Sequence, residues 1–264
     1  MAESQNSTSP VIARRHGALA TLVLSRPARR NPLSIETMTA LRDGLRDAGA
    51  DPSVRAVIIG AQGTVFSAGH DLRELAVDDG DVHERIFDLC ADLMLTIHHL
   101  DVPVIARVQG LATAAGCQLV AACDLAVASD RASFATPGVR IGLFCTTPMV
   151  EVLRSVGRAR AMEMLLTGDA IDAPTAARWG LVHRVVPPEL LDAEAALLAE
   201  RIASAGRSVV ARGKRAVGES AGLTLEEAYR HASAIMCADA GSEDAREGIA
   251  AFLDRRAPVW SDAT

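Results

Sequence analysis

Hydrophobic positions change rhythm several times along this chain, and each change marks an element. Two strand-like stretches, residues 11–16 and 18–25, flank Gly17 and predict a β-hairpin. Pro27 and Pro32 stop the second strand. Ser34 then stands as the cap of a helix with Ile35, Met38, Leu41 and Leu45 on one face. Residues 54–60 and 102–108 are mainly apolar runs of strand length, each interrupted by one arginine. Between them Val82, Ile86, Leu89, Leu93, Ile97 and Leu100 recur at helical spacing and predict a long amphipathic helix. A helix over 115–122, a strand over 124–128 and a short strand at Ser133 and Phe134 follow. From Thr146 the pattern is mainly helical, and Thr224 with Glu227 forms a capping box ahead of Leu225, Ala228, Tyr229, Ala232 and Ile235. Strands crowd the first half and helices the second, without a compositional break. The pattern predicts an α/β protein with a tail over residues 1–10, a core over 11–200 and a helical C-terminal extension over 201–264.

Composition narrows the classes. The 264 residues are 49% hydrophobic and 23% charged, enough to bury one full core. A formal charge of −6 with no basic run argues against a nucleic-acid partner. No apolar run approaches the roughly 20 residues that span a bilayer. The polar start lacks both a signal-peptide core and transit-peptide arginines, so a cytoplasmic protein with a disordered N-terminal tail is expected. Cys90, Cys117, Cys123, Cys145 and Cys237 sit in apolar context without metal-ligand spacing, which predicts buried reduced thiols and no metal.

Two glycine-containing stretches carry the candidate chemistry. Phe66-Ser67-Ala68-Gly69-His70-Asp71-Leu72 follows the first apolar run, and Val108-Gln109-Gly110-Leu111-Ala112-Thr113-Ala114-Ala115-Gly116-Cys117-Gln118-Leu119 follows the second. Small residues at a strand-to-helix turn leave a backbone N–H open to a ligand oxygen. Two such turns side by side would make an oxyanion hole. Each alone is also an ordinary tight turn.

In this order and spacing the motifs resemble the crotonase (enoyl-CoA hydratase/isomerase) superfamily over nearly the whole chain. Leu24-Ser25-Arg26-Pro27 with Asn31-Pro32-Leu33 is similar to that family's first loop, the two stretches above to its oxyanion motifs, and Trp179-Gly180-Leu181-Val182 to its tail. His70, residues 111–121, Phe134-Ala135-Thr136-Pro137-Gly138 and Ala257-Pro258-Val259-Trp260 resemble its enoyl-CoA hydratase domain-containing protein 3 branch. The resemblance implies a crotonase-like spiral of ββα units with a helical C-terminal trimerisation region, assembled as trimers or hexamers. It implies an acyl-CoA thioester as ligand and no cofactor, coenzyme A being part of the substrate. The thioester oxygen would lie between the N–H groups of His70 and Ala115, and the dipole of the helix opened by Ala115 would add to its bond. Substrate contacts are implied for Ala28, Arg29 and Arg30, for Ala68, Gly69, Asp71 and Leu72, for Leu111 and Gly116, and for Phe144 and Thr146.

Hydratases of this family use two glutamates. The matching positions here are Gln118 and Gly138, 20 residues apart as in the family. Adding water to a conjugated thioester needs one group to deprotonate water and one to protonate the α-carbon. An amide exchanges no proton near neutral pH, and glycine has no side chain. The missing side chain at Gly138 suggests room for water, a bulkier acyl group or a small anion. Hydratase or isomerase chemistry is therefore expected to be weak or absent. A non-catalytic acyl-CoA-binding protein and a different thioester reaction, such as hydrolysis, stay open.

Other residues carry paired readings. The His70 imidazole could titrate near neutrality or point away from the thioester. Arg26, Arg29 and Arg30 could neutralise nucleotide phosphates or form a solvated basic loop. Cys145 could be a nucleophile or a packed thiol, and Thr146 a hydroxyl at a position acidic in some relatives. His83 and Glu84 fit a solvated helix start, and Asp71 and Asp124 fit structural caps.

Overall fold

The computed structural model describes residues 9–261, so most of the N-terminal tail expected over 1–10 lies outside the described residues. The hairpin forms as β1 (Val11–His16) and β2 (Leu19–Leu24), paired antiparallel around Gly17 at φ +54°. Ser34 Oγ accepts from the Thr37 N–H at 3.2 Å and opens α1 (Ile35–Ala50), which buries Met38, Leu41 and Leu45.

A repeated unit follows. β3 (Ala56–Ala61) leads to β4 (Val65–Ser67), α2 (Leu72–Leu75) and α3 (Gly80–His99). β5 (Val104–Val108) leads to β6 (Leu111–Thr113) and α4 (Ala115–Ala122). β7 (Leu125–Ser129) leads to β8 (Ser133–Ala135), α5 (Thr146–Val156) and α6 (Arg158–Thr167). The chain closes through β9 (Ile171–Asp172), α7 (Ala173–Trp179), β10 (Arg184–Val186), α8 (Leu191–Ala203), α9 (Arg207–Ser220), α10 (Leu225–Ala240) and α11 (Glu243–Leu253). Each unit gives its first strand to a six-stranded sheet of order β1-β2-β3-β5-β7-β10 and its second to a four-stranded sheet of order β4-β6-β8-β9. This is the ββα spiral.

The central strands are covered on both faces, which is why their sequences run apolar without alternation. Val57, Ile59 and Val104 face the larger core with α1 and α3, while Ala56, Ile58 and Ile105 meet Leu191, Ala195 and Leu198 of α8. Pairing starts two residues later than the apolar runs at 54 and 102. Val54 N–H is spent on the Asp51 carbonyl in a turn, and Pro103 has no N–H to give. The second-layer strands β4 and β6 lie inside stretches read from sequence as glycine turns; at three residues each they are too short to show a period.

At the C-terminal end the capping box of Thr224 and Glu227 forms, but no residue of α10 is buried within the chain. Leu225, Tyr229 and Met236 of α10 and Phe252 and Leu253 of α11 are all about two-thirds exposed or more. Four cysteines are buried and free as expected, and the fifth, Cys237, is exposed. Among the described residues no helix is long and apolar enough to cross a membrane, and no group of three His, Cys, Asp or Glu could hold a metal.

Candidate active site

The first turn is strapped by the loop before α1. Asn31 is buried at φ +50°, and its Nδ2 donates to the carbonyls of Gln62 at 2.9 Å and Val65 at 2.8 Å. Ala68 N–H donates to the Arg30 carbonyl at 3.0 Å, and Leu33 N–H to the Gly69 carbonyl at 2.8 Å. Ser67 Oγ donates to the Asn31 carbonyl at 2.8 Å and accepts from Gly69 N–H at 3.2 Å. Nothing in the apolar pattern marks Asn31; its place between two prolines and its place in the family-like first loop are the signals for it.

The second turn ends β6. Ala114 sits at φ 52°, ψ −122°, a conformation that costs an alanine about 1–3 kcal/mol and persists only where neighbours hold it. Its N–H donates to the Ala135 carbonyl of β8 at 2.9 Å. Ala115 then opens α4.

The turns touch. A Cβ on Gly69, whose φ is +83°, would lie 2.9 Å from the Thr113 carbonyl oxygen and 3.1 Å from Ala115 N. A Cβ on Gly116 would lie 2.6 Å from the Ser67 carbonyl oxygen. Only glycine allows this approach. Among the described residues no backbone carbonyl accepts from the N–H of His70 or Ala115.

Both residues line a cavity of about 530 Å³. Its walls are mainly apolar, from Leu72 and Leu75 of α2, Phe87 of α3, and Pro137, Ile141, Leu143, Phe144 and Pro148. Thr113, Ala114, Gly138, Arg140, Cys145, Thr146 and Thr147 complete it together with Ala68. Among the described residues no aspartate or glutamate lines it. A shallower groove of about 720 Å³ near Glu36, Glu74 and Arg85 holds none of the expected site residues.

The cavity joins seven of the fifteen expected residues and leaves the other eight out of its lining. Gln118 is buried behind the wall, its Oε1 accepting from Cys90 Sγ at 3.7 Å. Leu111 belongs to β6, and Ala28 and Arg30 are exposed on the strap. Arg29 is held by Asp71 at 2.6 Å, and Arg26 faces Glu36 at 3.1 Å, so neither guanidinium is unengaged. Asp71 caps α2 by accepting from Arg73 N–H at 3.1 Å. Asp124 caps no helix; it accepts from Val104 N–H at 2.7 Å and pairs with Lys214 at 2.7 Å. His83 Nε2 meets the Leu75 carbonyl at 3.0 Å, and Glu84 is exposed.

One expectation is overturned outright. The space a side chain would take at Gly138 is not open: a Cβ there would overlap the Leu143 carbonyl oxygen and stand 2.8 Å from Cys145 Sγ. Gly138 N–H donates to that sulfur at 3.3 Å, and its carbonyl accepts from Leu143 N–H at 3.0 Å. The loop after Gly138 folds back into the position.

Two groups on the wall have shifted proton affinities. Burial pushes His70 down to about 4, and its ring meets Phe87 edge to face at 5.5 Å between centroids. Burial raises the Cys145 thiol, partly offset by the Gly138 N–H. A constellation the sequence did not reveal lies away from the cavity: buried Glu151 of α5 pairs with His98 of α3 at 3.1 Å, which raises the His98 pKa. Residues 53 apart in sequence give no signal of such a pair.

Comparison with known proteins bears on all of this. A family model described as enoyl-CoA hydratase/isomerase matches residues 14–263. The chain is 48% identical over 249 residues to rat enoyl-CoA hydratase domain-containing protein 3, mitochondrial, covering 94% of this chain and 83% of the relative. Its human counterpart is 46% identical, with 97% and 85% covered. The crystal structure of the human protein superposes with a TM-score of 0.93 at 46% identity, covering 95% of this chain and all of that one. An enoyl-CoA hydratase structure from Mycobacterium smegmatis gives 0.92 at 43%, with 95% and 98% covered. The expected cytoplasmic location is corrected by these relatives, which are named mitochondrial proteins. That expectation rested on the composition of ten N-terminal residues, too short a stretch to fix an address.

Proposed function

The chain belongs to the enoyl-CoA hydratase/isomerase family and resembles its domain-containing protein 3 branch, and from that premise we propose that it binds an acyl-CoA thioester with the carbonyl oxygen between the N–H groups of His70 and Ala115. One observation carries the reading: two strapped turns present unpartnered N–H groups to an apolar cavity whose wall holds no carboxylate. Such donors stabilise the oxyanion of an enolate or a tetrahedral intermediate. The apolar wall suits the acyl chain.

Hydration by the usual two-glutamate route is not available. Gln118 is turned into the core, and Gly138 is covered by its own loop. Losing both proton-transfer groups removes on the order of 10⁴-fold or more, at roughly 10²–10⁴ for each. The carboxylate-free wall equally supports a second reading, an acyl-CoA-binding protein without turnover. In both, the thioester needs no metal or separate cofactor. The exposed apolar side chains of α10 and α11 support self-association to a trimer or hexamer.

Calorimetry with several acyl-CoAs, coenzyme A and the free acids tests the ligand. Acyl-CoA should bind more tightly than coenzyme A or the acid. Absence of binding by every thioester would sink the reading. A turnover screen against the same thioesters separates the two readings.

A further inference from the structure

We propose that the His70 imidazole is the group that takes and returns the α-proton of the bound thioester, in place of the two absent carboxylates. The inference rests on the thioester placement above and adds the proton acceptor. Among the described residues, the cavity wall offers His70, Cys145 and Arg140 as ionisable side chains. Arg140 is held by Asp169 and by the Thr167 carbonyl, and a guanidinium stays protonated. Cys145 already accepts from the Gly138 N–H, and burial keeps its thiol protonated. The wall threonines are hydroxyls without an adjacent base. That leaves the imidazole.

Its geometry suits the task. The residue that supplies one N–H to the thioester oxygen carries the ring, so base and donor ride on one turn, pinned by the Leu33 and Arg30 backbone bonds. The edge-to-face contact with Phe87 at 80° fixes the ring plane. Nε2 is sealed from solvent without a partner and the residue lines the cavity, so the inference assigns the base to Nδ1.

Proton affinity matches as well. Burial brings His70 to about 4, so the ring is neutral and its lone pair free across neutral pH. No charged neighbour contributes to that shift; Asp71 is spent on Arg29, and His83 on the Leu75 carbonyl. In the step, the Nδ1 lone pair takes the α-proton. The C–H electron pair forms the enolate double bond, and the carbonyl π pair moves onto oxygen, held by the two N–H groups. The Nδ1 proton exchanges with water in the cavity, and reversal returns a solvent-derived proton to carbon, so the imidazolium and the enolate form and vanish together. A carboxylate would only shift a negative charge, whereas this base creates an ion pair, which the oxyanion donors stabilise.

The test is hydrogen–deuterium exchange at the α-carbon of butyryl-CoA in deuterated buffer, followed by mass spectrometry, with calorimetric Kd measured in parallel. His70→Ala and His70→Gln both keep the backbone N–H. Wild type should exchange; both variants should lose about 10²-fold or more while Kd holds, and added imidazole should restore part of the His70→Ala rate. The wild-type rate should be level from about pH 6 to 8, where an imidazole of low pKa is already neutral. A rate climbing through that range would assign the proton to a thiol or hydroxide and overturn the inference. Binding without exchange, or exchange indifferent to both substitutions, would also overturn it and leave the ligand standing. Failure of wild type to bind any thioester would remove the ligand reading and this inference with it.

Discussion

Putting glutamates back at the two family positions should not create a hydratase. At Gly138, a Cβ would overlap the Leu143 carbonyl oxygen and press on Cys145 Sγ at 2.8 Å, about 0.6 Å inside ordinary contact at 3.4 Å. The blocking atom is backbone of a loop tied to Gly138 at both ends, through the Leu143 N–H and the Cys145 sulfur. Overpacking of this kind costs about 1–3 kcal/mol before any carboxylate is buried. For a chain of this size that is a fall in Tm of roughly 2–12 °C. At Gln118 a carboxylate would be buried against Cys90 and the core without a cation, raising its pKa and adding to the cost. Gln118→Glu/Gly138→Glu should therefore unfold at lower temperature and hydrate crotonyl-CoA no faster than wild type. Thermal circular dichroism and the loss of the conjugated thioester's ultraviolet absorbance measure the two quantities. A double variant with unchanged Tm and a gain in rate of about tenfold or more would refute the steric assignment of Gly138.

Four further outcomes are expected. Bicarbonate or formate should not stimulate turnover, since Leu143 fills the place such an anion would need; stimulation saturating with either anion would show that the loop vacates it. Gly69→Ala should weaken acyl-CoA binding by about two- to tenfold but leave coenzyme A binding unchanged, because its Cβ would stand 3.1 Å from Ala115 N and displace one hydrogen-bond donor, worth about 0.5–1.5 kcal/mol. Buried neutral His70 binds a proton less readily folded than unfolded, so its contribution is present above its unfolded pKa of 6.5 and lost as pH falls toward about 4. Chemical denaturation across that range should show roughly 3 kcal/mol of acid sensitivity that His70→Ala lacks. His98 has the opposite sign, its raised pKa giving stability that is full below 6.5 and lost as pH rises through the folded value; Glu151→Gln should flatten that part of the profile.

Much of the spiral was legible because long periodic segments announce themselves. α1 and α4 lie where the pattern put them, and the Ser34 and Thr224 caps formed as read. The second sheet was not legible, because strands as short as Val65–Ser67 and Leu111–Thr113 take their conformation from neighbours in space. The motifs located the two glycine turns that meet at the cavity. They could not show that Gln118 turns toward Cys90, that Arg29 is claimed by Asp71, or that the Gly138 position is covered by its own loop. Those facts depend on side-chain direction and on loop return, neither of which has a sequence period. The exposed face of α10 illustrates a different limit: the helix forms where the pattern put it, but among the described residues nothing buries its apolar side chains.

The carbonyl of a bound thioester reports directly on the two N–H groups. A butyryl-CoA labelled with carbon-13 at the thioester carbon, bound to the protein, can be read by isotope-edited infrared difference spectroscopy. Hydrogen bonds from His70 and Ala115 should lower the carbonyl stretching frequency below that of the free thioester in water, and Gly69→Ala should return it part of the way. A bound thioester whose carbonyl band stays at the solution frequency would contradict an oxyanion hole at these turns.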